Sequence, residues 1–395
     1  MKVLMFGWEF PPYSSGGLGT ACYALTKSLS RKNVSITFVL PHAIACEYDF
    51  LKMLSPRIRI MQIDSMLNPY FTPKSYHKAK NGRYKPNIYG DSLFDEVNRY
   101  SQEAKIIAES EDFDVIHCHD WMTFNAGINA KKAKNKPLIV HVHSTEFDRT
   151  GGNHTNAHVY GIEKEGMEFA DEVVAVSNYT KNKIVQNYGV HPEKITVVHN
   201  SVDPIISSCE HDFEIKKHDR VVLFLGRITL QKGPDYFLYA AKKVLERESN
   251  VKFIIAGSGD MEPFIIEKAA ELGISKNVLF AGFLEGDDVD KAYKMADLYV
   301  MPSVSEPFGI TALEAMRNGT PVIISKQSGV AEVVKNCLTA NFWDVNDIAG
   351  KILAVLSYNP LHESLKENSL FEIKGFNWDT QAEKCVQVYN KLAVR

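Results

Sequence analysis

The 395-residue sequence predicts an α/β protein built from two doubly wound parallel-sheet domains. Three observations carry this prediction. Short apolar runs alternate with amphipathic stretches from end to end; the runs are too apolar to face water on either side; and the alternation pauses once near the middle, then restarts. Strands buried on both faces belong to parallel sheets covered by helices. A chain of this length suits two domains of about 150 to 200 residues each.

In the first half, residues 3–6, 34–40, 114–117, 138–142, 173–176 and 195–198 read as buried strands. Residues 18–31, 91–111 and 178–188 carry the spacing of amphipathic helices. From 203 to 219 the chain turns polar and irregular, with Ser207-Ser208 and a charged run over 211–220. It resumes at 221–226 like a fresh first strand, followed by apolar runs at 251–257, 278–281, 298–301 and 321–324. The boundaries are an N-terminal domain over 1–203, a C-terminal domain over 204–375, and a terminal helical segment over 376–395 after the break at Gly375. Residues 70–86 read as a long loop or insertion, rich in Lys74, Lys78, Lys80, Arg83 and Lys85 and interleaved with Tyr76 and Tyr84. Ligands of doubly wound sheets bind at the carboxyl ends of the strands, so two such domains imply a site in a cleft between them.

Composition narrows the class. A formal net charge of −3 gives no global reason for nucleic-acid binding. The six cysteines, Cys22, Cys46, Cys118, Cys209, Cys337 and Cys385, are scattered without a CxxC pair, which disfavours a zinc ribbon or redox motif and suits a reducing compartment. The N-terminal apolar run is too short for a signal peptide, and no stretch reaches the ~18 apolar residues that span a bilayer. A soluble, cytoplasmic protein is the expectation.

Three segments carry chemistry. Behind the first strand, Gly7 is followed by Ser14-Ser15-Gly16-Gly17-Leu18-Gly19 at a helix start, where backbone N–H groups approach an oxyanion. The spacing is not GxGxxG, and the second strand ends Val39-Leu40-Pro41-His42 without a ribose-binding acid, which weighs against a nicotinamide enzyme. The second domain opens Gly226-Arg227-Ile228-Thr229-Leu230-Gln231-Lys232-Gly233-Pro234. Two cations beside helix amides are what a leaving diphosphate needs as charge develops on it; the bland alternative is a solvated loop. Ser303-Val304-Ser305-Glu306-Pro307-Phe308-Gly309-Ile310-Thr311-Ala312-Leu313-Glu314 follows a strand and opens a helix at about Phe308. Glu306 and Glu314 are acceptors suited to sugar and ribose hydroxyls.

The paired glutamates around Pro307-Phe308-Gly309, with the Arg227/Lys232 segment, resemble retaining glycosyltransferases of the GT-B type (family 4). Trp8-Glu9-Phe10-Pro11-Pro12 and Gly16-Gly17-Leu18 are similar to the group's N-terminal loop, and Phe376-Asn377-Trp378 to its closing segment. His117-Cys118-His119-Asp120-Trp121 resembles a strand-end motif of bacterial glycogen and starch synthases. The resemblance implies two Rossmann-like domains with a deep interdomain cleft, and a terminal helix crossing back to the first domain. It assigns the donor diphosphate to Arg227 and Lys232, and the ribose to Glu314. Glu306 with the backbone of Pro307, Phe308, Gly309, Ile310 and Thr311 would hold the donor sugar. The Gly16 and Gly17 amides would face its phosphate, and His143 would contact the sugar near the reacting carbon. His119, Asp120 and Trp121 would meet the acceptor. The implied reaction is front-face transfer of a hexose, glucose by preference, from UDP- or ADP-glucose to the non-reducing end of an α-1,4-glucan. The nucleotide sugar is a co-substrate; no cofactor and no metal are called for, because side-chain cations neutralise the leaving group. One departure is Tyr13-Ser14-Ser15 before the Gly pair, where glycogen synthases carry a lysine. That leaves donor and subfamily open, including another glycan, lipid or small-molecule acceptor.

Other readings exist. His117, His119, His141 and His143, two apart on strands, share a face and offer metal ligands beside Asp120; polar residues at strand ends need no metal, and none is assigned. A non-catalytic nucleotide-sugar or glycan-binding module would be expected to have lost Arg227, Lys232 or Glu306, and all three are present. A pyridoxal-dependent phosphorylase would need a Schiff-base lysine that the sequence does not place. The basic 70–86 segment suits an anionic membrane surface, a polysaccharide, or plain solvent.

Overall fold

A computed structural model of the chain describes residues 1–11, 16–41, 58–62, 93–152, 155–203 and 219–393. The basic stretch at 70–86, the linker at 204–218, Tyr13 to Ser15, Cys46 and Cys209 lie outside the described residues. The chain divides into two compact units. Unit 1 comprises Met1–Glu146, Thr155–Asn200 and Trp378–Arg395; unit 2 comprises Phe147–His154 and Ser201–Asn377.

Unit 1 is built on a parallel sheet of β1 (Lys2–Phe6), β2 (Ser35–Leu40), β3 (Ile58–Gln62), β4 (Val115–His119), β5 (Leu138–Val142), β6 (Glu172–Ala175) and β7 (Ile195–Val197). The spatial order is β3-β2-β1-β4-β5-β6-β7. Every residue of β4 and β5 is buried, His117, His119 and His141 included, as strands covered on both faces require. Helices α1 (Gly17–Arg31), α2 (Leu93–Ser110), α3 (Trp121–Lys134), the short α4 (Glu146–Arg149), which passes into unit 2 after Glu146, α5 (Ala157–Phe169) and α6 (Asn178–Tyr188) follow in chain order. The ends of α6 are written in its flanks. Ser177 Oγ accepts from the Thr180 amide, and Gly189 at φ 71° supplies the left-handed C-terminal turn.

Unit 2 repeats the plan with β8 (Arg220–Leu225), β9 (Val251–Ala256), β10 (Val278–Gly282), β11 (Leu298–Met301), β12 (Val322–Ser325) and β13 (Leu338–Ala340), in the order β10-β9-β8-β11-β12-β13. Its helices are α7 (Pro234–Leu245), α8 (Glu262–Glu271), α9 (Asp287–Met295), α10 (Ile310–Arg317), α11 (Val345–Ser357) and α12 (Asn359–Glu372). Pro234 starts α7, where a missing N–H costs nothing. One core forms from Phe237, Leu238 and Ala241 of α7, Phe253 and Ile255 of β9, and Ile348 and Ile352 of α11.

The terminal helix α13 (Trp378–Ala393) groups with unit 1. It buries Trp378, Ala382, Cys385, Val388, Tyr389 and Leu392, and Lys32 Nζ on the α1 side lies 2.7 Å from Glu383. In both sheets the strand order reverses between the first strand and the fourth: β1 beside β4, β8 beside β11. Ligands of doubly wound sheets bind beyond the carboxyl ends at such a switch point. Among the described residues, no helix is long and apolar enough to cross a membrane.

Candidate active site

In unit 2 the switch point gathers both charged segments. β8 runs into Gly226 at φ 157°, and Arg227 follows directly. Residues Leu230–Lys232 make one 3-10 turn, and Gly233 at φ 63° hands the chain to α7. Glycine is required at 233 twice over. The left-handed backbone disfavours a side chain, and a Cβ there would stand 2.3 Å from the Pro302 carbonyl oxygen. That close approach seats the first loop against the one that follows β11.

The second loop carries Glu306. Lys232 Nζ lies 2.5 Å from Glu306 Oε2, and Ser303 Oγ donates to the same oxygen at 3.1 Å. The Glu306 side chain is 7% exposed and that of Lys232 17%, so this is a largely desolvated pair. Glu306 is also fixed through its backbone. Its N–H donates to the Gln327 carbonyl, and its own carbonyl accepts from Gly329, both at 2.9 Å. Gly309, at φ 108°, ends the loop; α10 begins one residue later, at Ile310, slightly beyond the Phe308 start that the spacing predicts. No side chain caps α10 and its first turn holds no acid, which leaves a helix N-terminus suited to an anion.

Glu314 sits in the second turn of α10, and Tyr293 of α9 donates its hydroxyl to Glu314 Oε2 at 3.1 Å. Burial pushes the Glu314 carboxyl above its ordinary range, while nearby Arg317 and the Tyr293 bond pull the other way. Arg227 is tied to its own loop by Nη2 donating to Gln231 Oε1 at 3.2 Å. The Gln231 carbonyl accepts from the Val304 amide at 2.9 Å, so one buried glutamine links the arginine to the Glu306 loop. Unit 2 thus brings Arg227, Lys232, Glu306, Pro307, Phe308, Gly309, Ile310, Thr311 and Glu314 onto two adjoining loops and one helix. Asp148, from the unit 2 segment Phe147–His154, accepts from Ser305 Oγ at 2.5 Å and buttresses the same turn.

In unit 1, Gly16 precedes α1 with no side-chain cap, and Gly17 is its first residue. The Gly19 amide donates to Glu9 Oε2 at 3.2 Å, so a buried carboxylate steadies that helix start. Asp120 stands between β4 and α3 at φ 60°, an uncommon conformation for a side-chain-bearing residue. Its Oδ1 accepts from the His143 amide at 2.7 Å and the Ser144 amide at 3.2 Å, joining the ends of β4 and β5. Trp121 is 6% exposed and packs near Phe94. His119 is wholly buried, its Nδ1 2.9 Å from His143 Nε2. In this geometry Asp120 holds backbone, and His119 and Trp121 present almost no surface of their own.

Behind His143 the imidazoles form a ladder. His117 and His119 stack at 4.5 Å between centroids, and His141 and His143 at 4.3 Å. Burial takes the His117 and His143 rings down to about 3, and it lowers His119 and His141 strongly as well, with neighbouring imidazoles adding to the effect. All four are neutral at neutral pH. His117, His119 and His141 bring ring nitrogens within 4.8 Å of one another, and Cys22, His119 and His143 form an adjoining group.

Sequence reasoning assigned no role to Glu9, Gln231, Tyr293 or Tyr389. Glu9 carried a signal, an acid between Trp8 and Phe10. Tyr293 and Tyr389 look like core aromatics on helices, and only the fold reveals their partners.

Comparison with known proteins settles the family. Residues 15–205 match Glycosyltransferase Family 4, and residues 210–370 match Glycosyl transferases group 1. Over its whole length the chain is 32% identical to an uncharacterised glycosyltransferase of Methanocaldococcus jannaschii, spanning 99% of that relative. The chain belongs to this glycosyltransferase family. The glycosyltransferase is also 24% identical, over 98% of its length, to the glycogen synthase of Mycobacterium tuberculosis, of which 94% aligns. Among solved structures, sucrose-phosphate synthase from Thermosynechococcus elongatus gives a TM-score of 0.79 at 19% identity, covering 99% of this chain and 98% of that one. That likeness shows the fold, which is of GT-B type.

Proposed function

We propose that this glycosyltransferase transfers glucose, with retention of configuration, from UDP- or ADP-glucose to the non-reducing end of an α-1,4-glucan. The observation that carries the reading is the meeting of Lys232 with Glu306, beside Arg227 and the uncapped start of α10. Arg227 and Lys232 take the donor diphosphate, where charge develops as the glycosidic bond breaks. Lys232 then exchanges its carboxylate partner for phosphate oxygens, and the freed Glu306 accepts from sugar hydroxyls. Glu314 accepts from the ribose. The Gly17 amide faces phosphate, and His143, neutral and anchored by Asp120, meets the sugar near its reacting carbon.

The bond between the anomeric carbon and the phosphate oxygen breaks as the acceptor oxygen bonds to the same face. The departing phosphate oxygen takes the acceptor proton, so no protein base is required. Side-chain cations carry the charge that a metal would otherwise neutralise, and no cofactor is assigned. The glucan rests on residues 117–121 and on the full-length relationship to a glycogen synthase. A second reading, transfer to another glycan or a small acceptor, rests on Tyr13-Ser14-Ser15 in place of the lysine-bearing loop.

The test is nucleotide release across UDP-, ADP- and GDP-sugars, with and without glycogen. Glucan-dependent release with chain growth supports the glucan reading and names the base. Donor hydrolysis indifferent to glucan moves the acceptor elsewhere. No response to any nucleotide sugar would favour a binding module.

A further inference from the structure

Among the described residues of unit 1, two buried imidazole nitrogens have no hydrogen-bond partner: His119 Nε2 and His141 Nε2. The two residues are register partners across β4 and β5, 0% and 1% exposed. Leaving such polar atoms orphaned in a core is costly, and each calls for an explanation. His117, two residues back on β4 and also fully buried, puts its Nε2 3.3 Å from His141 Nδ1.

We propose that His117, His119 and His141 form a buried binding site for one divalent transition ion of the zinc class. One ring nitrogen from each lies within 4.8 Å of the others. The surrounding bonds are those of metal-binding histidines, whose second ring nitrogen is normally held by an outer group. His117 Nδ1 meets the Tyr389 hydroxyl at 2.6 Å, and His119 Nδ1 meets His143 Nε2 at 2.9 Å. That leaves Nε2 of His117 and of His119 without an outer group, and His117 Nε2 turns to His141 within the cluster. Neutral imidazoles are the form a metal takes. An all-nitrogen set selects against magnesium and calcium, which need oxygen, and three histidines leave a fourth position open. Cys22, which joins His119 and His143 in the adjoining group, lies within electrostatic reach of the Asp120 and Glu9 carboxylates, so negative charge is at hand to offset a buried cation. The three histidines all belong to unit 1, and the inference does not depend on the donor or acceptor proposed above.

The test uses the full chain without a histidine tag, stripped with chelator and titrated with Zn²⁺ and Co²⁺. The expected result is one ion per chain retained through gel filtration, a tetrahedral or five-coordinate Co²⁺ absorption band, and a rise in the unfolding temperature with Zn²⁺. His141→Leu, which keeps apolar bulk on β5, is expected to lose the band and the thermal response. If that variant does not fold, the wild-type stoichiometry and spectrum decide alone. A wild-type protein that retains no ion and shows no thermal response overturns the proposal, as does undiminished binding by folded His141→Leu. Nucleotide release, measured on the same preparations, reports separately on the transferase reading.

Discussion

Removing Lys232 has two separable consequences. The first is on stability. Glu306, 7% exposed in the intact pair, would keep Ser303 Oγ as the remaining side-chain donor to Oε2. Breaking one partner out of a buried pair costs about 3–5 kcal/mol, and the 17% exposure of Lys232 puts Lys232→Ala near the lower end, about 3 kcal/mol. The second is on turnover: losing a charged donor to the leaving group lowers it by roughly 100- to 1,000-fold. Glu306→Gln should slow turnover comparably while leaving Lys232 a neutral acceptor. The double variant Lys232→Ala/Glu306→Gln separates the effects, because replacing both members removes the unpaired charge. Its stability should recover by roughly 2 kcal/mol relative to the sum of the singles, with no recovery of turnover. Amide hydrogen exchange in β8 and β11 reads unit 2 stability within the intact chain, and nucleotide release reads turnover. Stability effects that add to within about 0.5 kcal/mol would refute the pair. Near-normal turnover in both single variants would refute the site.

Gly233→Ala meets both a φ of 63° and a backbone oxygen 2.3 Å from the new Cβ, so it should weaken unit 2 by about 2 kcal/mol or more, read as lost exchange protection in α7. Tyr293→Phe removes the donor to Glu314 Oε2; donor KM should rise several-fold with kcat little changed, whereas a misfolded site would lower kcat. Because the Glu314 pKa is raised, the folded state binds more protons than the unfolded state between the two pKa values, so this group's contribution to stability falls as pH rises through that window. Donor affinity, which uses the carboxylate, should instead fall as pH drops through the raised pKa. In Tyr293→Phe that loss should begin at higher pH, and a KM–pH profile superposing on wild type would sink the assignment. Asp120→Ala frees the His143 and Ser144 amides and should cost stability and turnover together, while Asp120→Asn, which keeps an acceptor oxygen, should restore most of both; equal loss in the two would show that the charge, not the anchor, matters.

The sequence made the fold legible wherever a segment's own residues decide its state. Residues 178–188 show it best, since Ser177 and Gly189 punctuate the helix at both ends. β3 and β13 escaped notice because Ile58-Arg59-Ile60-Met61-Gln62 and Leu338-Thr339-Ala340 are interrupted by polar residues and make no continuous apolar run. In the candidate site, Arg227, Lys232, Glu306 and Glu314 stood out because charge after a buried strand is conspicuous. The groups that aim them did not. Gln231 acts through a carbonyl as much as a side chain, Tyr293 reaches Glu314 across two helices, and Tyr389 meets His117 from 272 positions away. No local pattern encodes such pairs.

The place of α13 has a consequence for synthesis. Unit 1 starts ahead of unit 2, yet part of its interior, including Trp378, Cys385, Val388, Tyr389 and Leu392, follows unit 2 in the sequence. A ribosome therefore releases unit 2 before unit 1 can close over its own apolar faces. Until then α1 waits for α13, and a chain cut short just before Trp378 leaves that surface open to chaperones and to other copies of itself.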